Sequence, residues 1–129
     1  AIEFHIQSLN FDRVVGDRQW EANSLGNLGN AYFVLGRHQR AIDFHNQALG
    51  LKRNADDQKG TATSLGNLGL AYHALGQHDR AIEFYNQSLE IAQSIGDRRG
   101  AAASLGNLGN VYIAFGQHDR AFDFHSQSL

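Results

Sequence analysis

A chain of 129 residues with 42% hydrophobic and 19% charged residues has the composition of a folded domain and not of a disordered segment. Eleven Lys and Arg against 13 Asp and Glu leave a net charge of −2, so there is no general attraction to nucleic acid. The lack of Cys removes disulfides and thiolate metal sites, and no apolar run approaches the roughly 20 residues of a membrane-spanning helix.

Residues 1–15 begin the chain with Ala1, Phe4, His5, Ser8, Phe11 and Val15 on one helical stripe. Gly16 supplies a left-handed stop and Asp17 a cap for the next helix. An A helix is predicted over residues 18–35, a break at Gly36, and a B helix over residues 38–54. Further breaks follow at Asp56-Asp57, Gly76, Gly96-Asp97 and Gly116; with no Pro, Gly and Asp supply all the punctuation. Short turns force antiparallel neighbours, so the prediction is an all-α array of about seven antiparallel helices.

The array repeats. Ser24, Ser64 and Ser104 lie 40 residues apart inside SLGNLG runs, and Ala1, Ala41, Ala81 and Ala121 keep the same step. A fixed period of this size marks stacked supersecondary units. The units are a half repeat at 1–16, repeats at 17–56 and 57–96, and a truncated repeat at 97–129. A start at Ala1 and a stop at Leu129, both inside a unit, make the chain read as a piece of a longer array. Phe4, Phe11, Phe122, Phe124 and Leu129 would then lie at uncapped ends, which predicts self-association through them.

Leu28, Gly29, Tyr32, Gly36 and Ala41 form a pattern that returns at Leu68, Gly69, Tyr72, Gly76, Ala81 and at Leu108, Gly109, Tyr112, Gly116, Ala121. It resembles the tetratricopeptide repeat over the whole chain. The usual period is about 34; the longer step is similar to that of LGN-type adaptors, kinesin light chains and many bacterial arrays. Leu25, Leu65 and Leu105 replace the frequent tryptophan, and no proline ends the B helices. The resemblance implies an α–α superhelix, a solenoid whose A helices line the concave wall.

Leu25, Leu28, Gly29 and Tyr32 share one side of the A helix. They are expected to pack on a B stripe of Ala41, Phe44, Ala48, Leu51 and Ala55, with Gly29 allowing the backbones to approach. The opposite side carries Asn23, Asn27 and Asn30, flanked by Gly26 and Phe33. The second repeat places Thr63, Asn67 and Leu70 there beside Gly66 and His73, and the third places Ala103, Asn107 and Asn110 beside Gly106 and Ile113. Asn is a poor helix former and each interior Gly costs about 1 kcal/mol relative to Ala, so a merely solvated face would not choose them. Asn amides both donate and accept, so a ladder of them suits the backbone of an extended ligand, with the glycines leaving room for it.

The reading is a non-catalytic scaffold binding a protein or peptide segment on the concave wall. Its candidate contacts are Asn23, Asn27, Asn30, Phe33, Thr63, Asn67, Leu70, His73, Asn107, Asn110 and Ile113. No Lys or Arg lies on the stripe, which favours a mainly neutral segment; Arg98 and Arg99 offer positive charge only at the start of the third A helix. The alternative is a structural spacer or self-assembling array without a peptide ligand. His38, His78 and His118 recur one per repeat, too far apart to share an ion, and His5, His45 and His125 alternate with Tyr85 at a packing position. The Gly-Asn-Leu-Gly runs lie inside helices, unlike phosphate loops. No nucleophile, base and orienter come together. The sequence therefore predicts no cofactor, no metal, no catalytic residue, no membrane or nucleic-acid partner, and a cytoplasmic location.

Overall fold

The computed structural model describes residues 18–114. The half repeat at 1–16, the cap expected at Asp17, and Phe4, Phe11, Phe122, Phe124 and Leu129, expected at uncapped ends, lie outside the described residues, as do two of the expected helices. Five helices follow in order: α1 (Arg18–Val34), α2 (His38–Asn54), α3 (Gln58–Ala74), α4 (His78–Ser94) and α5 (Arg98–Ala114). Each is 17 residues long, and connections of three residues complete the 40-residue step. α1, α3 and α5 are the A helices; α2 and α4 are the B helices.

The turns close as their residues dictate. Gly36, Gly76 and Gly96 take positive φ of 78°, 77° and 73°. The amide after each reaches back into the helix just ended: Arg37 N–H donates to Tyr32 O, Gln77 N–H to Tyr72 O and Asp97 N–H to Ala92 O. Asp56 occupies the same left-handed place with φ 57°, a conformation that costs an L side chain energy. Each A helix after the first described one then starts on an aspartate cap. Asp57 Oδ1 accepts from Gly60 N–H at 2.8 Å, and Asp97 Oδ1 from Gly100 N–H at 3.0 Å.

Leu25, Leu28 and Tyr32 of α1 meet Ala41 and Ala48 of α2, as the A-helix pattern predicts. Ala55, expected on the same B stripe, instead lies in the turn beyond α2 and is exposed. The B helix also has a second buried face that the single stripe omitted. Ile42 and Leu49 pack on Leu65, Leu68 and Ala71 of α3, so α2 is clamped between successive A helices. α4 does the same, placing Ala81 and Tyr85 in a cluster with Leu108 and Val111 of α5. Tyr32 stacks on Phe44 with centroids 5.4 Å apart, and Tyr72 stacks on Phe84 at 5.3 Å. Arg40 and Arg80 lie over those tyrosines, repeating the arrangement at the repeat step.

The recurrence of glycine at Gly29 and Gly69 has a different cause from backbone approach. A Cβ on Gly29 would stand 2.6 Å from Nε2 of His45, and one on Gly69 would stand 2.6 Å from Cε1 of Tyr85. A ring from the B helix lies flat where the A helix has no side chain. Ser88 adds a buried polar tie in the second repeat, donating to Ala62 O at 2.9 Å, with Ser104 Oγ 3.4 Å from its own oxygen.

Two stability outcomes follow from these contacts. Gly69→Ala is expected to lower stability by about 1–3 kcal/mol, because the Tyr85 ring has to move. Asp56→Gly is expected to raise it by roughly 1 kcal/mol by removing left-handed strain. Urea denaturation measures both, and an unchanged Gly69→Ala midpoint would show the ring is not held against the glycine.

Candidate functional site

The A helices are spaced by the B helices between them, and this opens grooves on their shared face. Between α1 and α3 lies a groove of about 570 Å³. Asn23, Asn27 and Asn30 of α1 and Thr63 and Asn67 of α3 line it, with Gly26 between them. Between α3 and α5 lies a smaller one of about 200 Å³, lined by Thr63, Asn67 and Leu70 on one side and Asn107 on the other. Asn67 and Thr63 thus border both grooves. Asn23, Asn27, Asn30 and Thr63 are exposed, whereas Asn67 and Asn107 are half-buried.

The other sequence candidates lie elsewhere on these helices. Phe33 packs into the core on both sides of α2 and its ring meets His38 at 4.8 Å. His73 turns to His78 across the following turn. Asn110 and Ile113 are exposed on α5, outside the lining of either groove.

The two rows of helical glycines differ in what surrounds them. Gly29 and Gly69 are covered by rings, but a Cβ on Gly26 or Gly106 would meet nothing within 4 Å. One on Gly66 would make only an ordinary 3.7 Å contact with Ser88 Oγ. The packing of this chain therefore gives no reason for glycine at the groove positions.

Several groove residues come from elements other than the A-helix stripe. Lys52, in the last turn of α2, donates from Nζ to Asn23 Oδ1 at 3.0 Å and pairs with Asp57 Oδ2 at 3.6 Å. Lys59, at the start of α3, borders both grooves. Trp20, the sole tryptophan, stands at the rim of the larger groove with 61% of its surface exposed. The stripe argument missed the lysines because it followed one helix face. Their position at the ends of α2 and α3, beside the B–A turn, was the available signal.

His45 contributes to the wall of the larger groove from the core side. It is 2% exposed, and its Nδ1 is buried without a hydrogen-bond partner. Burial disfavours the charged ring and lowers its pKa from 6.5 to about 4. The same cause raises the Tyr85 phenol, its counterpart in the next repeat, to about 12. Both rings are therefore neutral fillers at pH 7, as the interchange of His and Tyr suggests. Among the described residues no group of three or more metal-ligating side chains occurs, and no helix is long and apolar enough to cross a membrane.

With the helical pairs, turns and grooves in place, the comparisons agree on the class. The Tetratricopeptide repeat family model matches residues 1–54 and 56–129. The chain belongs to the tetratricopeptide repeat family, whose arrays are generally protein-interaction scaffolds. It is similar to BtubC from P. vanneervenii, with a TM-score of 0.88 and 24% identity over 98% of this chain and 53% of that one. It is also similar to a putative kinesin light chain from Podosopora anserina, with a TM-score of 0.81 and 22% identity over 98% of this chain and 63% of that one. Human G-protein-signaling modulator 1 is 49% identical over 41 residues, which are 32% of this chain and 6% of that protein. The chain thus spans a small part of this curated relative and about half to two-thirds of the two solved chains. The structural likenesses establish the fold.

The buried imidazole sets a pH response. Unfolded His45 takes up a proton near pH 6.5, but the folded ring resists it until about pH 4. Its contribution is complete above pH 6.5 and is lost as pH falls towards 4, by an amount on the order of 3 kcal/mol. His73, also lowered by burial and by His78, adds a loss of the same sign. His45→Tyr, which copies the Tyr85 position, is expected to flatten the decline measured by urea midpoints between pH 7 and 4.5. Parallel curves for the two proteins would refute this assignment.

Proposed function

We propose that this chain is a non-catalytic interaction scaffold that holds an extended peptide along the concave wall formed by α1, α3 and α5. The observation that carries the reading is the open space over Gly26 and Gly106, and the near-open space over Gly66. In the same helices, Gly29 and Gly69 are demanded by rings of this chain. At the groove positions alanine would fit and would favour helix by about 1 kcal/mol per site, yet glycine stands in all three repeats. A ligand backbone lying close to the helix supplies the missing reason.

Asn27, Asn67 and Asn107 flank these glycines and carry donors and acceptors for a peptide main chain, which requires both. Thr63, Asn23 and Asn30 extend the polar wall, and Leu70 gives the smaller groove an apolar contact. Charge is confined to one region. Lys52 is engaged by Asn23 and Asp57, leaving Lys59 as the groove cation best placed for an acidic side chain. The segment is otherwise neutral. Of the human modulator the likeness covers 41 residues, 6% of the protein, so the reading rests on the groove and not on that protein's partners.

The test separates binding from folding. A Gly26→Ala, Gly66→Ala, Gly106→Ala variant is expected to melt at a higher temperature than the parent while losing at least tenfold in affinity for a captured peptide partner. An Asn27→Ala, Asn67→Ala, Asn107→Ala variant is expected to lose the same partner with its circular dichroism unchanged. Full retention of binding by both would leave a structural spacer as the function of this segment.

A further inference from the structure

We propose that His73 and His78 form a two-imidazole chelate for a transition-metal dication of the Cu²⁺ or Zn²⁺ class, at the A–B turn of the second repeat. Their Nδ1 atoms are 3.2 Å apart. Two nitrogens bound to one ion at about 2.0–2.1 Å and separated by that distance subtend an angle near 100° at the metal, between square-planar and tetrahedral values. The pair is thus spaced for one ion as well as for one shared proton.

The turn, and not attraction between the histidines, creates this geometry. His73 lies in the last turn of α3 and His78 is the first residue of α4. Left-handed Gly76 reverses the chain between them, and Gln77 N–H closes the turn on Tyr72 O at 2.9 Å. The first repeat builds the same arrangement with a ring that cannot ligate. Phe33 and His38 have centroids 4.8 Å apart and planes 57° apart, against 5.0 Å and 54° for His73 and His78. The ligand positions are therefore preorganised, and the ordering cost of binding is small. In the third repeat Ile113 replaces the first ligand, so the His-x4-His pair belongs to one repeat of the three.

Burial and the neighbouring His78 hold His73 below its ordinary pKa, so it is neutral at pH 7. The nearby Arg80 guanidinium is turned to Tyr72, with NH1 3.5 Å from the phenol oxygen and its carbon 5.5 Å from the ring centre. No third ligand joins the pair among the described residues. The remaining coordination positions are taken by water or by a donor atom from a bound partner. Two neutral nitrogen donors without thiolate favour Cu²⁺ over Zn²⁺ and exclude Ca²⁺ and Mg²⁺ as good occupants.

Titration of the purified chain with CuCl₂ and with ZnCl₂ at pH 7.4, followed by calorimetry, tests the site. His73→Phe reproduces the ring pair of the first repeat and is expected to fold, to weaken the tightest Cu²⁺ event at least tenfold, and to abolish its two-nitrogen paramagnetic resonance signature. His78→Gln is expected to do the same, whereas His38→Gln leaves that event unchanged. Lowering the pH to 5.5 is expected to weaken it by proton competition. Equal Cu²⁺ affinity and stoichiometry in the parent and in His73→Phe would overturn the proposal.

Discussion

The contact on which the array depends is a flat ring laid on a bare stretch of helix. His45 covers Gly29 and Tyr85 covers Gly69, each closer than an added Cβ would allow. A side chain there would push the B helix outward and weaken the leucine contacts on either side of the glycine. With the ring seated, Leu25, Leu28 and Tyr32 reach Ala41 and Ala48, and the other face of α2 remains aligned for α3. One imidazole thereby joins the packing within a repeat to the packing between repeats. The accompanying cost is a buried nitrogen without a partner, which is why neutrality of that ring matters.

Seating the rings on one side of the A helices leaves their other side facing the grooves. The same helix therefore carries two glycine positions three residues apart with opposite surroundings. One is filled by the chain itself and the other is left open. Helix propensity opposes both choices equally, so the contrast in surroundings separates a packing requirement from the positions proposed to face a ligand. The grooves also differ in size, because α3 and α5 approach each other more closely than α1 and α3. A ligand crossing all three A helices would be more enclosed at the narrower end.

Much of this architecture was legible because the punctuation falls at a fixed step. Gly36, Gly76 and Gly96 end helices where predicted, and Asp57 and Asp97 begin them. Leu25, Leu28 and Tyr32, and the counterpart leucines Leu65, Leu68, Leu105 and Leu108, were readable as core because they form one stripe along the A helix. The B helices were read only by half. Ile42 and Leu49 make a second apolar face beside the first, and a search for one stripe does not separate them. The grooves were legible as a face of asparagine and glycine, but Lys52, Lys59 and Trp20 reach them from helix ends that the stripe does not contain. Phe33 and His73 share a position in the repeat yet turn towards the following helix, a direction set by the three-residue turn rather than by helical angle.

The equality of helix lengths and turn lengths has a consequence for how such an array is lengthened. Among the described residues each helix packs chiefly on its sequence neighbours, and α3 also touches α5 slightly. Stability in such a chain is a sum of units and the interfaces between them. Removing one whole 40-residue unit would join a B helix to an A helix of the same shape and chemistry, because Ile42 packs in a cluster with Leu68, and Ile82 on one with Leu108, the counterpart of Leu68 one step on. Gene rearrangements in multiples of the unit therefore preserve every interface type, whereas any other deletion breaks one. Array length becomes a heritable dial with discrete settings, and the length of the grooved A-helix face changes with it one repeat at a time.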